Sequence, residues 1–315
     1  MPVIAAGAIA RAAHWRKCAL EMRHANPLLP FAATLAGVGL LSLMDALMKG
    51  ASLAAGTFSA LLVRSLIGIV IAAPLWLAAG RGWPGSRALK LHVLRGLVGA
   101  GMAFTFFWGI TRLPLAEAIA LSFTAPLVAL YLAAILLGER IAREAIAASL
   151  LGLVGVALIA GARMESGNGG ADTAWGIAAI LTSSLLYAWN LVLQRQQALL
   201  ARPAEVATFQ NAVVALTLAL FAPWFFAVPA ESAMAGITAS AVLSVSGAMI
   251  FAWAYARAEA QALVPLEYSG FLWAGLFGWL FFREPLTLPT LAGAALIVVA
   301  CWIAAPRKRP EQSAA

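Results

Sequence analysis

The chain has 315 residues, of which 63% are hydrophobic and 11% charged, and its mean hydropathy is +0.90. A soluble protein carries about a quarter charged residues, so this composition excludes a soluble enzyme, a disordered chain and a nucleic-acid-binding domain. The net charge of +8 does not reverse that, because the basic residues are scattered between apolar blocks and form no stripe.

About 20 apolar residues are needed to cross a bilayer as a helix, and ten such stretches follow one another. Residues 1–27 precede them and read as a cytoplasmic tail. The basic residues of this tail follow the apolar run Val3–Ala10, whereas a secretory signal needs them in front. Span 1 (28–48) places Ser42 at mid-depth and Asp45 near its far end, and stops at Lys49. Span 2 (56–79) carries Arg64, about 12 Å deep from the same side at 1.5 Å per residue. Asp45 and Arg64 could neutralise one another, or Asp45 could take a substrate ammonium or a proton. Span 3 (91–110) carries Arg95, Thr105 and Trp108. Span 4 (113–137) carries Glu117, Ser122, Thr124 and Pro126. Pro126 has no N–H, so the carbonyl of Ser122 is left free. Span 5 (145–162) is almost without polar groups; Ala148, Gly152 and Gly155 suit close helix packing.

Span 6 (174–194) carries Ser183, Ser184, Tyr187 and Asn190. Asn190 could bond a substrate carboxylate or bridge two helices. Span 7 (206–228) carries Gln210 and Asn211, and span 8 (233–256) carries Ser244, Ser246 and Trp253. Span 9 (262–282) holds Pro265, which frees the carbonyl of Gln261, then Glu267, a second candidate proton carrier, and Tyr268. Span 10 (286–305) matches span 5 in its small residues, Gly293 and Ala294, and a tail at 306–315 closes the chain. Spans 5 and 10 are thus peripheral, and a homodimer through them is conceivable. A β-barrel would instead show alternating segments of about ten residues.

Lys and Arg set the orientation. With a cytoplasmic N-terminus, fifteen of them lie on the cytoplasmic side, four lie opposite (Lys49, Arg112, Arg163 and Arg283), and Arg64 and Arg95 lie within spans. Both termini are therefore expected inside.

The spans recur at an offset of roughly 145 residues. Lys49 ends span 1 and Arg195 ends span 6. Leu137-Gly138-Glu139-Arg140 closes span 4, and Phe282-Arg283-Glu284-Pro285 closes span 9. Units of five helices (28–162 and 173–305) enter the membrane in opposite senses, the inverted repeat of many secondary transporters, with a site expected near the midplane. The stretches 94–127, 132–141 and 270–285 resemble the drug/metabolite transporter superfamily, EamA type, and within it the aromatic amino-acid exporters of the YddG kind. That resemblance implies an all-α membrane protein with ten helices. It also implies export of a small metabolite by alternating access through a basket of spans 1–4 and 6–9, in a bacterial inner membrane.

Polar groups inside a bilayer usually face a cavity or a partner. Ser42, Thr105, Ser122, Thr124, Ser183, Ser184, Ser244 and Ser246 share one depth, although each hydroxyl could instead bond its own helix carbonyl. Trp108, Tyr187, Trp253 and Tyr268 are the aromatic candidates for a cavity that suits an amphipathic solute. Glu117, Glu139 and Glu284 lie at span ends, where water or a neighbouring Arg would satisfy them. Other classes fit less well. Cys18 and Cys301 stand far apart and no metal-ligand spacing occurs, so no metal or cofactor is expected. No phosphate-binding loop is present, so ATP is not the direct drive. A serine hydrolase would need a base near Ser246, and His92 lies at another depth. A nucleotide-sugar or lipid-linked carrier would want several basic groups, and the spans offer Arg64 and Arg95.

Overall fold

The computed structural model describes residues 28–304 apart from 79, 81, 138–142, 166–169, 199, 256, 258–262, 264 and 265. The two tails, Glu139 and Pro265 lie outside the described residues. All regular structure within them is helical: α1 (Leu29–Ala55), α2 (Thr57–Ala78), α3 (Ser86–Ile110), α4 (Leu115–Ser122), α5 (Ala125–Leu137), α6 (Arg143–Glu165), α7 (Ala171–Ala198), α8 (Pro203–Ala219), α9 (Ala222–Phe225), α10 (Glu231–Tyr255), α11 (Gly270–Phe282) and α12 (Leu288–Ala304). Six stretches are long and apolar enough to cross a membrane: Leu29–Ala55, Thr57–Ala78, Ser86–Ile110, Ile146–Met164, Ala171–Gln194 and Glu231–Tyr255.

Three spans depart from a single continuous helix. Span 4 is divided, because α4 ends at Ser122 and α5 begins at Ala125. Span 7 stops at Ala219 and continues as the short α9. In both cases the last helical residue lies four before a proline, Pro126 or Pro223, whose missing N–H would have bonded that residue's carbonyl. A proline alone does not force this, since α2 runs through Pro74 to Ala78. Span 9 is interrupted by a turn at 268–269, and α11, which starts at Gly270, is at about 20 Å too short to cross the hydrocarbon core alone.

The packing repeats when the two halves are exchanged. α1 lies along α10 as α7 lies along α3, and α2 touches α10 as α8 touches α3. Three contacts join matching spans of the two halves, span 2 with span 7 (α2 with α8), span 4 with span 9 (α4 with α11) and span 5 with span 10 (α6 with α12). All three run antiparallel. Phe58 meets Phe225 while Trp76 meets Phe209. Leu115 lies near Gly278 while Phe123 meets Tyr268. Gly155 lies against the Gly293 carbonyl while Gly152 lies near Ala300. The turn at 123–124 has its counterpart at 268–269, and the rings of Phe123 and Tyr268 touch edge to face with centroids 5.1 Å apart. An axis relating the halves therefore passes between these two rings.

Burial follows from this arrangement. α4 is the innermost helix, with Leu115, Ala118, Ala120 and Leu121 without exposed surface. Trp83, Trp175, Trp224 and Trp302 are exposed at helix ends, as interfacial anchors are. Trp76, also close to a helix end, instead packs edge-on against Phe209. The small residues of spans 5 and 10 are consumed within one chain, where Gly155 and Gly293 bring α6 and α12 together.

Candidate functional site

Three polar clusters occupy the space between the halves. The first is central. α1 turns Asp45 inward and α2 turns Arg64 toward it; both are half-buried. Arg64 is the cation whose field reaches Asp45, yet no hydrogen bond or ion pair joins the Asp45 carboxylate to any described residue. The two do not close a direct ion pair. Arg64 spends one Nη on Ser244 Oγ of α10 at 2.9 Å and rests over the Phe107 ring at 5.4 Å, and its Nε has no partner. A carboxylate and a guanidinium, each with unspent hydrogen-bonding capacity, are thus brought within reach of one another's field by α1 and α2, the guanidinium resting on an aromatic ring.

The second cluster lies at the Lys49 end. α11 terminates with Arg283 in the left-handed region at φ 56°, the Arg283 N–H bonds Trp279 O at 3.0 Å, and the Glu284 N–H bonds Gly278 O at 3.2 Å. The bond from Arg283 to Trp279 O is that of an αL helix ending, which normally favours glycine at the left-handed position. It turns Glu284 inward, where the carboxylate pairs with Lys49 and accepts the Leu115 N–H at 2.7 Å. Gly278 leaves the room, since a Cβ there would stand 2.8 Å from Glu284 Oε2. Lys49, only 4% exposed, also donates to Leu113 O at 2.7 Å. The cluster ties α1, the α3–α4 turn and the end of α11 together. Glu284 therefore pairs across the halves and not with the adjacent Arg283. Glu117, expected to reach water, is buried, with Arg163 Nε 3.7 Å away and the Thr290 hydroxyl donating to it at 3.3 Å.

The third cluster lies at the opposite end. Arg95 donates from Nε to Asn190 Oδ1 at 3.0 Å and from Nη1 to Gln197 Oε1. Gln197 Nε2 stands 2.6 Å from His92 Nδ1, and His92 Nε2 stands 3.0 Å from Glu205 Oε1. Asn190 thus bridges helices. Tyr187 lies within electrostatic reach of Arg95 and Glu267, and Tyr255 donates to Glu267.

The remaining candidates divide. Thr105, Ser122 and Ser184 donate to carbonyls of their own helices at 2.8 to 3.0 Å, and Thr124, in the turn, donates to Leu121 O at 2.8 Å. Ser183 crosses to Met102 O at 2.9 Å. Ser42 and Ser246 make no hydrogen bond with described residues, and Ser42 lies close to Gly270. Trp108 and Trp253 are covered by Arg112 and Arg257, 3.4 and 4.2 Å from the ring centroids, so cations already occupy one face of each. Tyr268 packs on Phe123 beside Cys301. Sequence reasoning missed the Gln197–His92–Glu205 chain, whose members look like ordinary helix-end polar residues until α3, α7 and α8 meet. It also missed the Lys49–Glu284 pair. The matching positions of Lys49 and Glu284 beside the repeat landmarks were the signal for that pair.

Comparison with known proteins follows the two halves. The model of the EamA-like transporter family matches residues 30–161 and again 174–305. The pseudopaline exporter CntI of Pseudomonas aeruginosa is 29% identical over 262 residues, covering 82% of this chain and 90% of that protein. A riboflavin transporter of Brucella anthropi is 26% identical over 249 residues, covering 74% and 82%. A solved crystal structure superposes with a TM-score of 0.58 at 25% identity, covering 87% of this chain and 96% of the other.

Proposed function

The chain belongs to the EamA-like transporter family, a multi-pass membrane transporter, and from that premise we propose that it exports amino acids or similar amphipathic metabolites by alternating access. The observation that carries this reading is the central pair of Asp45 and Arg64. Asp45 has no direct partner, Arg64 has an unspent Nε, and Phe107 lies alongside. A free α-amino acid presents an ammonium and a carboxylate a few ångströms apart, and these two groups answer it with opposite charges. Aromatic and aliphatic walls suit an apolar side chain, so aromatic amino acids are the leading cargo, as in exporters of the YddG kind.

In this reading ten helices cross the membrane as two inverted five-helix units with both termini cytoplasmic. The antiparallel contacts between matching spans support the inversion, because a unit with an odd number of crossings reverses its successor. The excess of cytoplasmic Lys and Arg supports the orientation, and bacterial relatives support an inner-membrane location. The Lys49–Glu284 cluster then closes the external side. Helices α6 and α12 stay peripheral, with their outer faces turned to lipid or to a second copy. A nucleotide-sugar carrier is disfavoured, because Arg95 is already held by Asn190 and Gln197.

The test is uptake of labelled Trp, Phe, Thr and a nucleotide sugar by purified protein in liposomes at two pH gradients. Transport of Trp or Phe, lost in Asp45→Asn and Arg64→Gln, is the expected result. Transport of the nucleotide sugar alone would overturn the reading.

A further inference from the structure

The cluster at the His92 end contains a rule of hydrogen-bond direction that the transport site does not use. Arginine has donors only, so the Gln197 atom facing Arg95 Nη1 must be the carbonyl oxygen. The other atom of the same amide, facing His92 Nδ1 at 2.6 Å, is then the NH2 group. Nδ1 must accept, so the single imidazole proton sits on Nε2 and is donated to Glu205 Oε1 at 3.0 Å. One orientation of one amide thus fixes the His92 tautomer.

A second proton cannot enter this arrangement unchanged. Protonating Nδ1 would set an N–H against an N–H. The conflict is relieved by flipping the Gln197 amide, which turns its NH2 toward Arg95. Arg95 then loses its link to α7 at Gln197, keeps Asn190, and has a free Nη edge within reach of Tyr187. His92, Gln197 and Glu205 are 1%, 2% and 7% exposed, so little water is at hand to absorb the mismatch. Phe209 stacks on the imidazole at 4.7 Å, and Trp76 and Trp83 pack around Phe209. From α8 the titratable group facing His92 is Glu205, from α7 it is the neutral Gln197, and on α3 itself the nearest charge is Arg95, one amide away.

We propose that His92 is a proton-binding site wired through Gln197 to Arg95, so that a proton at His92 releases Arg95 from α7 toward the transport pathway. The freed guanidinium is a receptor for a solute carboxylate arriving from that end. Proton and anionic solute then assist each other's binding by the same factor, as linkage requires. This last step rests on the transport reading; the switch itself does not.

The experiment uses the full-length protein carrying His14→Gln and His24→Gln, so that His92 is the sole histidine. Imidazole nitrogen NMR in detergent micelles reads the tautomer and the protonation midpoint, with no solute added. The expected result is the Nε2–H tautomer, and a midpoint that rises by about one pH unit or more in Gln197→Met, because methionine removes the opposing N–H without adding charge. An Nδ1–H tautomer, or a midpoint that stays or falls in Gln197→Met, would overturn the proposal. Hydrogen-exchange mass spectrometry reads the release. Peptides from 86–97 and 190–198 should exchange faster below the midpoint. In His92→Gln, whose amide can accept from Gln197 and donate to Glu205, that acceleration should vanish. Equal exchange above and below the midpoint in the His92 protein would refute the link to Arg95. Both readouts stand whether or not any amino acid is transported.

Discussion

Replacing Lys49 with Met keeps the length of the side chain and deletes the ammonium that closes one end of the molecule. The ammonium is 4% exposed and satisfies two acceptors, Glu284 and Leu113 O at 2.7 Å, with the Phe282 ring 5.0 Å away. Breaking a buried pair on one side costs about 3–5 kcal/mol, because the other charge is left uncompensated. Here the figure is discounted, since Glu284 is 18% exposed and retains the Leu115 N–H at 2.7 Å. About 2–3 kcal/mol against the closed arrangement remains, or roughly 30- to 150-fold in the ratio of closed to open. The assay is the distance between spin labels at the exposed positions Leu53 and Leu288, on a background lacking Cys18 and Cys301. Lys49→Met should add a longer-distance population. Lys49→Met combined with Glu284→Gln should shrink it again, because no lone charge is left. An unchanged distance distribution in Lys49→Met, with the fold intact by thermal melting, would refute the assignment of this cluster as a closure.

Three other outcomes follow from the packing. Arg283→Gly removes a left-handed non-glycine residue and should stabilise the protein in detergent by about 1 kcal/mol, read as a raised midpoint of thermal unfolding; Arg283→Val should lower it. Gly155→Val drives a branched side chain into the Gly293 carbonyl and Ile297. It should cost about 1–3 kcal/mol and separate α6 from α12, seen as lost crosslinking between cysteines placed in them. Ser183→Ala deletes the hydroxyl that bonds Met102 O between α7 and α3 and should cost about 1 kcal/mol without abolishing transport.

Much of the fold is legible in the sequence because the bilayer imposes one periodic constraint. Long apolar runs become helices, and Pro126 marks a break since a missing N–H acts locally. The 145-residue offset reappears in space as the contact of Phe123 with Tyr268. Side-chain partners are less legible, because depth is a single coordinate and pairing needs three. Asp45 and Arg64 lie in adjacent spans near the same side, yet Ser244 rather than Asp45 takes the guanidinium. Glu284 ignores the adjacent Arg283 because the left-handed turn aims it at Lys49. His92 reads in the sequence as a lone histidine remote from Ser246, and its part emerges only where α7 and α8 bring Gln197 and Glu205 to it.

The most direct test of the central claim is counterflow of labelled tryptophan in liposomes, with tryptamine and indole-3-acetate as competitors that each carry one of its two charges. Asp45 and Arg64 together predict counterflow in which both competitors inhibit more weakly than unlabelled tryptophan. Asp45→Asn should weaken inhibition by tryptamine, and Arg64→Gln should weaken inhibition by indole-3-acetate. Robust counterflow that neither substitution alters, or no amino-acid counterflow at all, would contradict the account.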